Sequence, residues 1–196
     1  AASFDLPVFF AVNLMDRDRA SYSRVVEALQ KKYGREVTPL QLPIGEESNF
    51  SGVVDLVSGK AFTWEHDESG KVTEAEVPGD MADEVASARE ALMEMVAEQD
   101  EELMEKYLEE GELDGETLSS GLKKAITARE LLPVFALAAA KNIGVQPLMD
   151  ALVDLAPTPD WRPVKVTVDG EEDEFAVSSE SPFAAYVFKS ISDPFA

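Results

Sequence analysis

Asn13 and Asp16 stand three residues apart in the run Asn13-Leu14-Met15-Asp16, a stretch whose residue types can carry out specific recognition chemistry. A carboxylate at Asp16 can accept two hydrogen bonds side by side. Guanine offers such a donor pair, N1–H and the exocyclic amine, and adenine does not. The Asn13 amide can bridge to the base's other edge and to nearby backbone. Paired polar recognition discriminates strongly, because the wrong base leaves buried groups unpaired. The same four residues also suit an ordinary loop with an Asx turn. Spacing alone leaves both readings open.

The flanking residues favour the first. Val8-Phe9-Phe10-Ala11-Val12 is continuously apolar, as in a parallel strand buried on both faces. The Asn13–Asp16 loop then falls at a strand's C-terminal end, where open α/β sheets place ligand contacts. Tyr22, Val25, Val26, Leu29 and Tyr33 follow at helical spacing, with Gly34 as a C-terminal stop. A second loop, residues 138–144, has the same setting, after a buried strand expected over residues 132–140. The helix after it carries Val145, Leu148, Met149, Leu152 and Leu155. In a nucleotide site a backbone N–H such as that of Ala139 can donate to a guanine carbonyl. An ordinary strand-to-helix loop with small residues for close packing is the alternative.

Between these two strand–helix units the pattern changes. Residues 37–42, 52–57, 60–65 and 71–77 read as short, half-polar strands of an antiparallel sheet with one wet face. Residues 80–110 read as helix, acidic in the second half. A turn over residues 111–116 leads to another helix, with Thr117 as expected N-cap and Leu118, Leu122 and Ile126 on its apolar stripe. Residues 158–163 read as a linker, and residues 164–168, 174–177 and 184–191 as strand-like pieces. The expected fold class is α/β, a partial sheet with helices carrying an inserted α+β subdomain. Residues 1–36 and 131–160 form its two segments, residues 37–130 the insertion, and residues 161–196 a linker and the start of a further β domain.

Composition narrows the partners. The 196 residues carry 39 acidic against 17 basic side chains, a formal charge of -22. Affinity for nucleic acid comes largely from Lys and Arg displacing counterions, so direct nucleic-acid binding by this chain is not expected. An acidic face suits a basic protein partner, and surplus carboxylates also serve plain solubility. There is no cysteine and one histidine, His66, which leaves neither a disulfide nor a zinc site. His66 is read as solvated, and Trp64 and Trp161 as packing anchors. No membrane span and no signal peptide are visible, so a cytoplasmic protein is expected. No nucleophile–base pair stands out, and catalytic and metal-binding residues are both expected to be absent.

Taken together, the two loops resemble the base-recognition segments of the translation elongation factor G family. The family's Asn-Lys-Met-Asp-Arg is similar to Asn13-Leu14-Met15-Asp16-Arg17. Its Ser-Ala-x-Lys-Asn-x-Gly-Val-Gln is similar to Ala138-Ala139-Ala140-Lys141-Asn142-Ile143-Gly144-Val145-Gln146. The stretches at residues 39–45 and 50–57 resemble the start of that family's G′ insertion, and residues 101–108 its acidic helix. Phe188-Lys189 and Asp193-Pro194-Phe195 resemble the first strand of the following β-barrel domain. The resemblance runs in order along essentially the whole chain.

It implies guanine binding by Asn13, Leu14, Asp16, Ala138 and Ala139, in a parent GTP/GDP-binding protein acting in ribosomal translocation. It also implies contact with basic ribosomal stalk proteins through Glu98, Glu101, Glu102 and Glu105. Two positions depart from the pattern. The family's Lys is Leu14 here, which keeps an apolar contact to the base but loses the tether to the phosphate loop. The family's Ser is Ala138, which loses a hydroxyl that steadies the loop. At about 1 kcal/mol for each lost hydrogen bond, weaker or less selective guanine binding is expected. The phosphate-binding pattern Gly-x-x-x-x-Gly-Lys-Ser/Thr does not occur; at Gly59-Lys60 the first Gly is Val54 and the hydroxyl residue is Ala61. By the resemblance, the phosphate loop and the Mg²⁺ ligands lie upstream, and GTP hydrolysis by this chain alone is not expected. The alternative is an acidic interaction module, or a divergent paralogue, without nucleotide hydrolysis.

Overall fold

The computed structural model describes residues 2–65 and 70–190. His66, the middle of the turn after it, and the Asp193-Pro194-Phe195 motif lie outside the described residues. The chain forms two compact units, Ala1–Ala156 and Pro157–Ala196.

In the first unit, the apolar run after Pro7 yields β1 (Phe10–Val12), and Tyr22–Tyr33 forms α1. Strand β1 is a half-buried edge strand and not the strand buried on both faces expected over residues 8–12, because β7 alone flanks it among the described residues. Lys31 and Lys32 in its last turn complement the negative end of the helix dipole, and Gly34 at φ 99° ends it. Tyr22 and Val26 are the buried anchors of α1. The Tyr22 hydroxyl donates to the Val134 carbonyl at 3.0 Å. Burial pushes that phenol's pKa above its ordinary value.

The single strand expected over residues 37–42 is two strands in different sheets, β2 (Val37–Pro39) and β3 (Gln41–Ile44). Pro39 cannot donate to a ladder, which favours a break there. Leu40 sits between them: its N–H donates to Val134 and its carbonyl accepts from Leu56. One residue thereby stitches the parallel sheet to the antiparallel one. The antiparallel sheet continues through β4 (Gly52–Asp55), β5 (Lys60–Trp64) and β6 (Val72–Ala75), in the order β3-β4-β5-β6.

The continuous helix expected over residues 80–110 is also two, α2 (Ala82–Ala97) and α3 (Glu101–Glu110). Asp100 causes the break. It adopts an extended backbone and accepts the Glu102 N–H at 3.0 Å, a cap that competes with helix continuation. The next helix, α4 (Gly115–Ala128), is capped by Asp114 and not by Thr117. An aspartate three residues ahead reaches the Thr117 N–H at 2.9 Å, so Thr117 lies inside the first turn. Lys106 and Thr117 hold the Asp114 carboxyl well below the usual carboxylate range.

Strand β7 (Leu132–Ala136) lies at the centre of the parallel sheet, order β1-β7-β2, pairing Phe10 with Val134 and Val37 with Leu132. It is shorter than the 132–140 run expected, because residues 139–141 turn in a 3-10 helix. Then α5 (Val145–Leu155) begins at Gly144, with Pro147 in its first turn where a missing N–H costs nothing. Two apolar clusters fill the unit. One joins α2, α4 and the strands around Leu40, Val54 and Phe135. The other lies beneath the two loops and includes Met15, Phe50, Val53, Trp64, Ala138 and Ile143.

In the second unit, β8 (Val164–Val168) and β9 (Glu171–Phe175) form a hairpin. Asp169 and Gly170, both at positive φ, make its two-residue turn. That turn forces pairing to resume at Glu171, ahead of the 174–177 strand expected from the pattern. No strand forms over residues 184–190; Phe183, Tyr186, Val187 and Phe188 are exposed there. A strand needs a partner ladder for its backbone, and this run has none among the described residues. Among the described residues no helix is long and apolar enough to cross a membrane.

Candidate functional site

The register of β1 against β7 decides where the two loops meet. Val12 lies opposite Ala136, so both strands end at the same level and both loops leave the same edge. The Leu137 N–H donates to the Val12 carbonyl at 2.9 Å, and the Met15 N–H donates to Leu137 at 3.1 Å. Met15 itself is buried and anchors the first loop from below.

Above that anchor, Asn13 joins the loops directly. Its Oδ1 accepts the N–H of Leu14 at 2.8 Å and the N–H of Ala139 at 3.0 Å. The Ala139 N–H, expected at a base carbonyl, thus serves Asn13, and a base carbonyl would share it. Leu14 adopts φ 65° and is 50% exposed, so its side chain stands above the loop in open space. A non-glycine residue in that region stores roughly 1–2 kcal/mol of strain, which the bonds on either side must hold. The turn closes with the Arg17 N–H donating to Leu14 at 3.1 Å.

Asp16 is the best enclosed polar group of the site. Its side chain is 7% exposed, and Oδ2 pairs with Lys141 Nζ at 3.3 Å. The other oxygen, Oδ1, is buried and has no hydrogen-bond partner. Desolvating a carboxylate oxygen without a donor is costly, so Oδ1 is an unsatisfied acceptor of the junction, enclosed in this conformation. A guanine's Watson–Crick edge carries two donors, which would need Oδ1 turned to the surface and Oδ2 shared with Lys141. Lys141 is a residue that the residue-type reading passed over. Its signal was present, an unassigned Lys in the second loop opposite an Asp in the first.

The second loop is held in a tight path. Ala138 and Ile143 exchange two backbone hydrogen bonds across it, at 3.0 and 3.2 Å. Asn142 and Gly144 both take left-handed backbone, at φ 59° and 78°. A Cβ at Gly144 would collide with the Ala136 carbonyl, so glycine is required there. Ala138 is buried, and its methyl occupies the place where the resemblance expects a hydroxyl.

The four glutamates read as a partner surface lie elsewhere, on the helical layer. Glu98 caps the end of α2, while Glu101, Glu102 and Glu105 occupy the first two turns of α3. All four are exposed. Glu98 is partly neutralised by Arg35 at 3.4 Å. Lys124 approaches Asp100 at 3.3 Å, and the two ends of α3 are otherwise strongly acidic.

Comparison with known proteins gives two findings. The family model described as the elongation factor Tu GTP binding domain matches residues 1–158. A crystal structure of a protein from Thermus thermophilus superposes with a TM-score of 0.73 at 32% identity. The match covers 83% of this chain and 24% of that one, so the matched region spans about a quarter of that protein's length.

Proposed function

This chain belongs to the elongation factor Tu GTP-binding domain family, and on that premise we propose that it supplies the guanine-reading half of a translational GTPase. The observation that carries the reading is Asp16, enclosed at the junction of two loops with one carboxylate oxygen unpartnered. In this reading Asp16 accepts the guanine N1–H and amine. Asn13 ties the loops so that both sides of the base are lined at once, Leu14 and Ala139 form the walls, and buried Ala138 supports them from beneath. When bound, the nucleotide supplies the phosphate chemistry; this chain's residues orient the base and exclude adenine.

The parent protein acts on the ribosome in translocation, in the cytoplasm, with residues 37–130 as an insertion between the two halves of the GTPase sheet. Glu98, Glu101, Glu102 and Glu105 face a basic stalk protein, whose approach is steered by charge and weakens with salt. Support comes from the order of the matching motifs and from the exposure of those carboxylates. The phosphate site and its Mg²⁺ belong to sequence upstream of Asn13.

The test is calorimetric titration of the full-length protein with GDP and with ADP. GDP binding, weaker than in a protein that keeps the Lys and Ser, with little affinity for ADP, is expected. Restoring them by Leu14→Lys and Ala138→Ser should raise GDP affinity, by about fivefold for each bond of about 1 kcal/mol regained. Equal affinity for both nucleotides, or none for either, would remove the reading. Charge reversal at Glu101 and Glu105 is expected to slow stalk-protein association, with a rate that falls as salt rises.

A further inference from the structure

Gln146, in the first turn of α5, connects the antiparallel sheet to the second recognition loop. Its Oε1 accepts the Trp64 indole N–H at 3.3 Å, and its Nε2 donates to the Gly70 carbonyl at 2.8 Å. Trp64 ends β5 and Gly70 lies just before β6, so one amide holds both sides of that hairpin. The contacts extend further. Gly70 lies so close to the Asn142 side chain that a Cβ there would collide with its amide. Trp64 is buried in the same apolar cluster as Met15, Ala138 and Ile143. The hairpin therefore touches the loop at Asn142, shares its apolar cluster through Trp64, and reaches its exit through Gln146.

We propose that Gln146 and Trp64 are positioning residues, through which the antiparallel sheet braces the 138–144 loop in its base-reading conformation. The physical need is visible in the loop itself. Asn142 holds left-handed backbone, φ 59°, at the end of the loop's 3-10 turn, and Leu14 across the junction holds it at φ 65°, where a branched apolar residue is strained. Strained backbone persists only where its surroundings over-determine it. The loop's own cross-bridge, Ala138 with Ile143, fixes its base. Lys141 and Asn142 lie beyond that bridge: the loop's own 3-10 turn holds their N–H groups, Lys141 pairs with Asp16, and Asn142 has Gly70 of the hairpin against its side chain. A load on the sheet would thus reach the nucleotide through two hydrogen bonds and one indole ring. That last consequence rests on the guanine reading above; the brace does not.

Two measurements separate these claims. The first is amide hydrogen exchange on the chain as it stands, comparing wild type with Gln146→Ala, Gln146→Glu and Trp64→Phe. Gln146→Ala removes both bonds and is expected to speed exchange at Ala139, Lys141, Asn142 and Ile143 by about tenfold, with α2–α4 amides unchanged. Gln146→Glu keeps the acceptor for the indole, and Trp64→Phe keeps the bond to Gly70. Each is expected to give an intermediate effect of about threefold to fivefold. Unchanged loop amides in Gln146→Ala, or an equal rise throughout residues 2–156, would overturn the brace.

The second measurement is GDP release from the full-length protein. Faster release in Gln146→Ala, graded across the three variants in the same order as loop exchange, supports the link to the nucleotide. Release unaltered while the loop amides speed up would overturn that link. A wild-type protein without GDP affinity would refute the guanine reading and leave the exchange result to decide the brace.

Discussion

Replacing Asn13 by alanine isolates the one side chain that holds both loops together. Its Oδ1 accepts two backbone N–H groups, from Leu14 at 2.8 Å and from Ala139 at 3.0 Å. A net hydrogen bond is worth about 1 kcal/mol, so full loss of both would cost roughly 2. Asn13, Leu14 and Ala139 are all exposed, however, and water can take over part of each bond. Rehydration wins about half of the loss, which leaves about 1 kcal/mol. For a chain of this size that corresponds to a fall in Tm of about 2–4 °C.

The control is Asn13→Asp, which retains an oxygen in the same place and is expected to keep most of the stability. Thermal unfolding followed by circular dichroism reads the stability, and exchange at the Leu14 and Ala139 amides reads the junction. Those two amides should speed up in Asn13→Ala and not in Asn13→Asp. An alanine variant as stable as wild type, with both amides equally protected, would refute the junction argument. Equal loss in both variants would show that the oxygen is not what matters.

Other perturbations address the frame of the site. Tyr22→Phe removes the bond to Val134 and should cost at most about 1 kcal/mol at neutral pH, since that carbonyl keeps the Leu40 N–H. Its pKa is raised in the folded state, so the phenol's stabilisation is full below pH ~10 and is lost as pH rises above it, by up to about 1.4 kcal/mol per unit. Denaturant unfolding between neutral and alkaline pH should show that decline in wild type and a shallower one in Tyr22→Phe. Gly144→Ala places a Cβ against the Ala136 carbonyl at φ 78°, and should lower the urea midpoint by at least the equivalent of about 2 kcal/mol. The Asp114 carboxyl is depressed by Lys106 and Thr117, so its contribution is present above the ordinary carboxylate range and is lost as pH falls below it. Asp114→Asn should therefore flatten the acid limb of the stability profile, as measured by Tm between pH 2 and 5.

Much of the outline was legible in residue order. The apolar run into β1, the helical stripe of α1, the antiparallel strands and the glycine before α5 all follow from local pattern, which is fixed by nearest neighbours. The misses share a physical cause, competition between local signals. Pro39 divided one expected strand into two, and Asp100 divided one expected helix. Asp114 reached the cap ahead of Thr117, and the Asp169-Gly170 turn drew the hairpin register toward the acidic Glu171. In each case one or two residues outweighed the local period: a missing donor at Pro39, capping carboxylates at Asp100 and Asp114, and positive-φ backbone at Asp169-Gly170.

For the site, residue types and spacing alone put an Asn and an Asp three residues apart after one apolar strand, and a second loop after a second apolar strand. They could not determine that Asn13 would bond Ala139, 126 residues away, or that Lys141 would pair with Asp16. Nor could they show that Gln146 would reach Trp64 and Gly70. Those pairings depend on the register of β1 against β7 and on the sheet that folds between them. Local sequence sets which groups a loop carries; only tertiary packing, by bringing distant backbone to hydrogen-bond range, sets which of them meet and which carboxylate oxygen is left without a partner.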